Sequence, residues 1–195
     1  TQSFKGYQFN IQKLKETPNT KAVLYQLLKD FEFTAWDDIY ELLDAQPGKF
    51  VATAKHRLIK DRDFLLLTEH QAETEEVLWY VDIEKVDLNG LTLMKENVDQ
   101  LTQLNKTEAI FDAEQLKFPL RLRKWEEGDW FYPFGLKGKK KLSKFFKDLK
   151  FSTIDKESVW LLCNDQDIIW VVGARTDDRY KVTPNTSQFL KFTVH

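Results

Sequence analysis

Residues 159–175, VWLLCNDQDIIWVVGAR, contain two apolar runs on either side of a short polar turn. Their composition is typical of strands that are buried on both faces of a sheet. We therefore expect 159–164 and 167–175 to be buried strands that are separated by a tight turn. The longest apolar run, around residues 168–172, is far too short to cross a bilayer.

The sequence on both sides extends this β-rich region. The segment 110–125 is expected to be a connector followed by a strand, with Pro119 at the start or the edge of that strand. The acidic stretch 71–76 is expected to be a loop, and Asn89-Gly90 a tight turn. Three more strands are predicted, at residues 77–84, 91–96 and 187–195.

The first third of the chain is predicted to be helical. One helix begins at an N-cap formed by Asn19 or Thr20 and carries apolar side chains at helical spacing. A second helix follows Thr34, which forms a capping-box pattern with Asp37, and ends at the Pro-Gly pair at 47–48. The apolar residues of the first helix are Val23, Leu24, Leu27, Leu28 and Phe31.

The predicted fold class is α+β. Residues 49–70 change to the period of a strand and are expected to form a β-hairpin with its turn near 60–63. An N-terminal helical subdomain with this hairpin comes first, and a β-rich C-terminal domain with one amphipathic helix follows. We place the boundary near residue 112, so residues 1–112 are helical and then β-rich, and residues 113–195 form the second domain.

The overall composition favours no particular class of partner. The chain has 195 residues, 42% of them hydrophobic, and a formal net charge of −2. Cys163 is the only cysteine, which excludes an internal disulfide and fits a reduced setting. The first residue, Thr1, is not an initiator methionine, so we expect the chain to be a piece of a longer protein.

Catalytic and metal-binding patterns are absent from the sequence. None of the seven glycines forms a dinucleotide-binding or phosphate-binding loop, and there is no G-x-S-x-G elbow. His56, His70 and His195 are scattered without metal-ligand spacing. Cys163 lies in an apolar run and is interpreted as a small core residue. The sequence therefore predicts no catalytic residue, no metal site and no cofactor.

Positive charge is concentrated in residues 137–150, KGKKKLSKFFKDLK, which contain seven lysines and one acid, Asp148. A helix over about 139–150 would place four apolar side chains on one face and lysines on the other. The apolar set is Leu142, Phe145, Phe146 and Leu149. The lysines on the opposite face are Lys140, Lys144 and Lys147, flanked by Lys137 and Lys141.

Three interpretations of these lysines remain open. Lysines on an ordinary solvated helix normally alternate with acids four residues away, and such acids are missing here. A nucleic acid or another anion would explain the charge, and so would a basic surface that binds nothing. A membrane-surface helix is the third interpretation. It is less favoured, because the four apolar residues are better used in packing against neighbouring strands.

Two further basic groups lie near this stretch. Arg121 and Arg123 alternate along one strand face, while Arg175, Arg179 and Lys181 follow the apolar strands. Either group is suited to contact a nucleic acid or to form ion pairs at a sheet edge.

The loop before the lysines combines turn-forming and aromatic residues. The aromatic residues Phe131, Tyr132 and Phe134 are interpreted as core residues or stacking surfaces, with the core interpretation preferred. The residues expected to shape the loop are Gly128, Asp129, Pro133, Gly135 and Gly138.

Five spaced motifs in this half of the chain resemble the C-terminal domain of the bacterial tRNA(Ile)-lysidine synthase family. They lie at Pro119–Arg123, Gly128–Gly135, Gly138–Phe146, Ile169–Arg175 and Arg179–Thr183. The first part of the chain is similar to the middle region of that family. The Ser-Gly-Gly-x-Asp-Ser loop with which the family binds ATP does not occur here. The resemblance therefore implies the C-terminal portion of the enzyme, without its active site.

The resemblance implies a function in tRNA modification in the cytoplasm. The whole enzyme would use ATP to attach lysine to the wobble cytidine of tRNA-Ile(CAU), with ATP and lysine as substrates of the missing N-terminal catalytic domain. The middle and C-terminal domains would hold tRNA-Ile, and the C-terminal domain, similar in fold to a module of phenylalanyl-tRNA synthetase, would meet the acceptor stem. The predicted tRNA-binding residues are Lys137, Lys139, Lys140, Lys141, Lys144, Lys147, Arg121, Arg123, Arg175, Arg179 and Lys181.

Overall fold

A computed structural model describes residues 6–69, 76–88, 90–101 and 104–195. Contacts within the chain divide it into two compact units, Thr1–Glu73 and Thr74–His195. The turn residue Asn89, the loop residues 71–75 and His70 lie outside the described residues.

The described part of the first unit consists of three short α-helices and one antiparallel sheet. Its elements are β1 (Tyr7–Asn10), α1 (Ile11–Lys15), α2 (Thr20–Leu28), α3 (Trp36–Glu41), β2 (Phe50–Ala52), β3 (His56–Asp61) and β4 (Phe64–Glu69). The strand order is β1-β4-β3-β2. Apolar side chains from the helices and from one face of the sheet form a single core, which includes Leu24, Leu28, Ile39, Leu58 and Leu65.

Both predicted helices of the first unit are present. The side chain of Asn19 caps α2 by accepting a hydrogen bond from the backbone N–H of Ala22 at 3.1 Å, as predicted. The capping box predicted at Thr34 is wrong, because the N-cap of α3 is Ala35 and its side chain makes no cap bond. Leu27 was expected on the apolar face, but it is 39% exposed on the solvent side of α2.

The predicted hairpin of the first unit is formed by β3 and β4, which turn at Arg62 and Asp63. It carries two additional strands. β2 is separated from β3 by a turn in which Thr53 Oγ1 accepts a hydrogen bond from the N–H of His56 at 2.9 Å. β1 pairs with the other side of β4 and was not predicted.

The described part of the second unit consists of two antiparallel sheets, a short hairpin and two helices. The strands are β5 (Val77–Trp79), β6 (Lys85–Leu88), β7 (Leu91–Val98), β8 (Glu108–Asp112), β9 (Leu120–Arg123), β10 (Trp130–Phe131), β11 (Lys140–Lys141), β12 (Leu161–Asn164), β13 (Asp167–Val171), β14 (Arg175–Thr176) and β15 (Phe189–Val194). The helices are α4 (Leu142–Asp148) and α5 (Thr153–Ser158). The sheet orders are β14-β13-β12-β9-β5 and β6-β7-β15-β8, and β10 pairs with β11.

The strands β12 and β13 are buried and separated by a tight turn, as predicted, and the structure shows that they pair with each other inside the five-stranded sheet. Side chains of β12 alternate between two cores. Leu162 belongs to the core shared with the four-stranded sheet, whereas Leu161 and Cys163 belong to the core beneath α4. The five-stranded sheet is therefore covered on both faces, which explains the continuous apolar runs.

The boundary between the two units lies at a different place in the chain from the predicted boundary near residue 112. β5 pairs with β9, and the last strand, β15, lies between β7 and β8. Strands on both sides of residue 112 therefore share the same two sheets, and the division falls at Glu73 instead.

Smaller differences concern individual elements of the second unit. The strand predicted over 77–84 ends at Trp79, and the chain turns over Tyr80–Ile83 before β6 begins. Pro119 directly precedes β9, as predicted for a strand start. Helix α5 was not predicted, although Ser152 and Asp155 form a complete capping box at its N-terminus.

Candidate nucleic-acid interface

The lysine-rich stretch is a strand followed by a helix. Lys140 and Lys141 form β11 and pair with Phe131 and Trp130 of β10, so α4 begins only at Leu142. The backbone N–H of Leu142 donates to the carbonyl of Asp129 at 2.8 Å and fixes the start of α4. The prediction of a helix from residue 139 was therefore wrong over its first three residues.

The apolar face of α4 is close to the prediction. Leu142, Phe145 and Phe146 are at most 4% exposed and pack against Phe131 in the core beneath the helix. Leu149 was expected on the same face, but it follows the end of α4 and is 42% exposed. Because its apolar face packs in this core, α4 is a packed surface helix and not a helix that lies on a membrane. No helix in the described ranges is long and apolar enough to span a membrane.

Lys140 does not share the outer face of α4 with Lys144 and Lys147, which corrects the prediction. Its Nζ lies 2.6 Å from Oδ2 of Asp148, and its side chain is only 22% exposed. Along a strand, neighbouring side chains point to opposite sides. Lys140 therefore reaches back to the end of α4, while Lys141 remains exposed.

Of the six lysines within residues 137–147 predicted to bind tRNA, the other five are exposed and form what we call the lysine surface: Lys137, Lys139, Lys141, Lys144 and Lys147. None of them forms an ion pair with a carboxylate in the part of the chain that the structure describes. The nearby acid is Asp148. The hydrogen bond from Lys140 lowers the pKa of its carboxyl, and the charges of Lys140, Lys144 and Lys147 lower it further. The one acid of the stretch is thus already engaged.

Lys139 differs from the other four because an aromatic ring holds it. Its Nζ lies 3.5 Å from the ring centroid of Trp130, close enough for a cation–π interaction. Arg179 lies 5.6 Å from the same ring and 4.7 Å from that of Tyr132. Trp130 was not predicted as a site residue, although its alternation with Tyr132 on either side of the core residue Phe131 would have placed the two rings on one side of the strand.

The arginines near the lysine surface have partners within the protein. Arg123 forms a two-point ion pair with Asp129, at 2.7 and 2.9 Å, and the hydrogen bond with Asp129 raises its pKa. Arg121 donates to the carbonyl of Asp165 and contacts Glu76 at 3.2 Å. These contacts favour the ion-pair interpretation of the strand arginines.

The basic residues after β13 also bind carboxylate or carbonyl groups of the protein. Arg179 binds the carboxylates of Asp177 and Asp167 at 2.8–3.0 Å, and the hydrogen bond with Asp177 raises its pKa. Lys181 lies 2.9 Å from Asp178, and Arg175 donates to the carbonyl of Phe134 at 3.3 Å. Their predicted contact with tRNA stays a prediction, but each has a polar partner within the protein, whereas the lysine surface has no carboxylate partner within the described ranges.

The residues predicted to shape the loop form turns before β10 and between β10 and β11. The N–H of Leu136 donates to the carbonyl of Pro133 at 2.9 Å, which closes a β-turn. Gly135 has φ of 79° within that turn, and Gly128 and Gly138 also have positive φ. Asp129 accepts from the N–H of Glu126 at 2.8 Å in addition to binding Arg123.

The three aromatic residues of the loop have different environments. Phe131 is fully buried and packs edge-on against Phe145, so the core interpretation is right for it. Tyr132 is half-buried beside Trp130 and Arg179. Phe134 is 45% exposed and is not a core residue.

The residues set aside as non-catalytic lie apart from the lysine surface in sequence. Cys163 is fully buried, and burial raises the pKa of its thiol to about 11. His56 on β3 packs edge-on against Phe31. Across the described ranges, no three His, Cys, Asp or Glu side chains are grouped so that they could hold a metal ion.

Two family models match this chain, one in each half. The TilS substrate binding domain matches residues 2–70, and the TilS substrate C-terminal domain matches residues 120–191. The chain is thus a substrate-binding domain followed by a C-terminal domain, and the second match contains the entire lysine surface. It belongs to the tRNA(Ile)-lysidine synthase family through these two domains.

Curated relatives extend this similarity over nearly the whole chain. The tRNA(Ile)-lysidine synthase of Parabacteroides distasonis is 42% identical over 191 residues, which are 94% of this chain and 43% of that protein. The tRNA(Ile)-lysidine synthase of Bacteroides thetaiotaomicron is 35% identical over 190 residues, or 94% of this chain and 42% of that protein. The chain therefore spans less than half the length of these relatives.

Two solved structures align with the fold of this chain. A crystal structure of a TilS C-terminal domain aligns with a TM-score of 0.54 and 18% identity, covering 62% of this chain and 97% of that one. An N-terminal fragment of the phenylalanyl-tRNA synthetase β-subunit from Pyrococcus horikoshii aligns with a TM-score of 0.44. The first match supports the mixed α and β fold described above.

Proposed function

We propose that this chain is the tRNA-holding, C-terminal part of a tRNA(Ile)-lysidine synthase. In this proposal the whole enzyme attaches lysine to the wobble cytidine of tRNA-Ile(CAU) at the expense of ATP, in the cytoplasm. A separate N-terminal catalytic domain uses ATP and lysine, and the present chain positions the tRNA without an active site of its own. The observation that carries the proposal is the lysine surface within the C-terminal domain.

Electrostatics favour a polyanion as the ligand of the lysine surface. Its five ammonium groups follow one another within eleven residues of sequence, all are exposed, and none is ion-paired within the described ranges. Opposite charges elsewhere do not explain the cluster, because Asp129, Asp148, Asp177 and Asp178 each already bind another cation. Lysines that neutralise phosphates release condensed counterions, which provides affinity without regard to base sequence.

Contact with the acceptor stem is consistent with this type of recognition. Double-stranded RNA presents its phosphates and sugars, while its deep major groove hides the base edges from side chains. A surface made of lysines and few other polar groups matches phosphates better than it matches bases. We therefore assign the lysine surface to the backbone of the stem.

The proposal is tested by the salt dependence of tRNA binding. The variant Lys144→Gln/Lys147→Gln removes two charges from the outer face of α4, where neither side chain is part of a core. Binding of a tRNA-Ile(CAU) transcript should be measured between about 50 and 200 mM salt. The slope of log affinity against log salt should become shallower by about 2, because two fewer counterions are released.

A matched control removes the same charge elsewhere on the second unit. Lys106→Gln/Lys117→Gln changes two exposed lysines outside the lysine surface. Lys117 forms only an exposed ion pair with Asp165, so this variant should remain folded. It should keep the wild-type slope. Equal slopes in the wild type and in a folded Lys144→Gln/Lys147→Gln variant would contradict the proposal.

A protein-interaction module is the alternative, favoured by the exposed side chains of Phe134 and Leu136 next to the lysines. Such a module would retain no tRNA, and its lysines would serve only solubility. The same titration separates the two functions.

The absence of an active site has its own test. The purified chain should not convert ATP to AMP, and turnover that scales with chain concentration would refute that part of the proposal.

A further inference from the structure

Phe134 is held at the tip of the loop between β10 and β11 by its backbone. Its N–H donates to the carbonyl of Thr176 at 2.8 Å, and its carbonyl accepts from Nη1 of Arg175 at 3.3 Å. The β-turn from Pro133 to Leu136 encloses it. The backbone is thus fixed on both sides of the residue, while the side chain remains 45% exposed.

The ring of Phe134 is unlike the other aromatic rings of this region. Trp130 and Tyr132 pack against each other, Phe131 packs against Phe145, and Phe146 packs against Trp125 and Phe151. Within the described part of the chain, Phe134 has no aromatic or cation–π partner. A fixed backbone that carries a partly exposed ring is an arrangement that needs little ordering when a planar ligand binds.

The surroundings of the ring are positive. Lys137 follows three residues later, so its Cα lies within about 11 Å of that of Phe134. The acids next to the loop are occupied, because Asp177 binds Arg179 and Asp178 binds Lys181. A planar group attached to an anionic backbone fits this combination better than a neutral or acidic apolar surface.

We propose that Phe134 stacks on an unpaired nucleobase of the bound RNA while the lysine surface holds the neighbouring phosphates. This inference rests on the proposed function and deepens it, because it adds a single-stranded nucleotide to the double-stranded region that the lysines contact. Aromatic side chains are the usual platforms for unstacked bases, and stacking tolerates any base because every base has a π face.

Two RNA probes test the inference with the full chain. Both are hairpins with the same duplex, one blunt and one with a short unpaired 3′ extension. The wild type should bind the extended probe more tightly. Phe134→Ala should weaken binding of the extended probe by roughly 5- to 100-fold, leave the blunt probe unchanged and keep the salt slope, because stacking releases no counterions.

Matched variants separate stacking from general contact. Leu136→Ala alters a neighbour of similar exposure, 48%, which has no ring. It should keep the preference for the extended probe, and Phe134→Trp should keep it as well. Lys144→Gln/Lys147→Gln should weaken both probes equally. Thermal melts should confirm that all variants are folded, which the exposure of the changed side chains favours.

The results of these binding experiments distinguish failure of the stacking inference from failure of the proposed function. If the lysine variant loses affinity and Phe134→Ala keeps the preference, the stacking inference is overturned and the proposed function stands. An equal loss in Leu136→Ala also overturns stacking, since it points to an apolar contact without a ring. If the wild type binds neither probe nor tRNA, both proposals fall.

Discussion

Asp177 and Arg179 form a two-point ion pair in which the carboxylate is fully buried and the guanidinium is partly exposed. Nε of Arg179 donates to one carboxylate oxygen and Nη2 donates to the other, both at 3.0 Å. The same carboxylate accepts the N–H of Tyr132 at 2.9 Å. One side chain therefore connects β14 and its following turn to the loop that carries the lysines.

Replacing Asp177 should destabilise the second unit. Asp177→Asn keeps the shape but loses the charge that strengthens the hydrogen bonds from Arg179, so the free energy of unfolding should fall by about 1.5–3 kcal/mol. Urea unfolding measures this change. Asp178→Asn is the matched control, because its ion pair with Lys181 is exposed and should be worth less than about 1 kcal/mol. Equal effects of the two substitutions would contradict the assigned role of Asp177.

The parts of the fold that could be predicted are local in sequence. The hairpin of β12 and β13 follows from two apolar runs that are separated by a short turn, and the buried face of α4 follows from the spacing of Leu142, Phe145 and Phe146. Gly135 follows from the need for positive φ in a tight turn. None of these requires knowledge of a distant partner.

The parts that could not be predicted depend on distant partners. β15 lies between β7 and β8, a pairing that no local pattern specifies, and it moves the unit boundary away from residue 112. Lys140 has good helix propensity, yet pairing with Phe131 keeps it in a strand. The exposed lysine face was therefore predicted except for Lys140, which pairs with Asp148, and its contact with tRNA stays a prediction.

Cys163 should be unreactive in the folded protein. It lies on β12 and is fully buried in the core beneath α4, and burial raises its pKa to about 11, so the thiolate is scarce at neutral pH. Modification by a disulfide reagent should occur only as fast as the chain unfolds. Cys163→Ala should cost about 1 kcal/mol of stability and leave tRNA affinity unchanged. Rapid labelling under native conditions would show that the thiol is accessible.

Lys124 should make stability depend on alkaline pH. Its Nζ donates to the carbonyl of Ser158 at 2.8 Å and lies 4.3 Å from the ring centroid of Trp160, and burial lowers its pKa from 10.5 to about 8. Between these two values the unfolded chain binds the proton more strongly than the folded chain, so this residue's contribution to stability rises with pH.

The comparison with Lys124→Met isolates this effect, because other titrating groups cancel in the difference. The stability of the wild type relative to Lys124→Met should increase as the pH rises from neutral through about 8 towards 10.5. Urea unfolding across this range measures it. Parallel stability curves for the two proteins would show that Lys124 titrates as an ordinary exposed lysine.

The ion pair between Lys140 and Asp148 gives the sharpest test of which lysines contact RNA. Because Lys140 is already bound to Asp148 at 2.6 Å, Lys140→Gln should change the salt slope of tRNA binding much less than Lys144→Gln does.

Asp148→Asn should change tRNA binding in the opposite direction. It removes the single acid of the stretch and releases Lys140, so tRNA affinity should rise and the salt slope should become steeper by about 1. The exposed side chain of Asp148 allows this substitution without loss of the core, which thermal melts can check. If Asp148→Asn weakens binding in a folded protein, the carboxylate positions the lysines instead of competing with the RNA for Lys140.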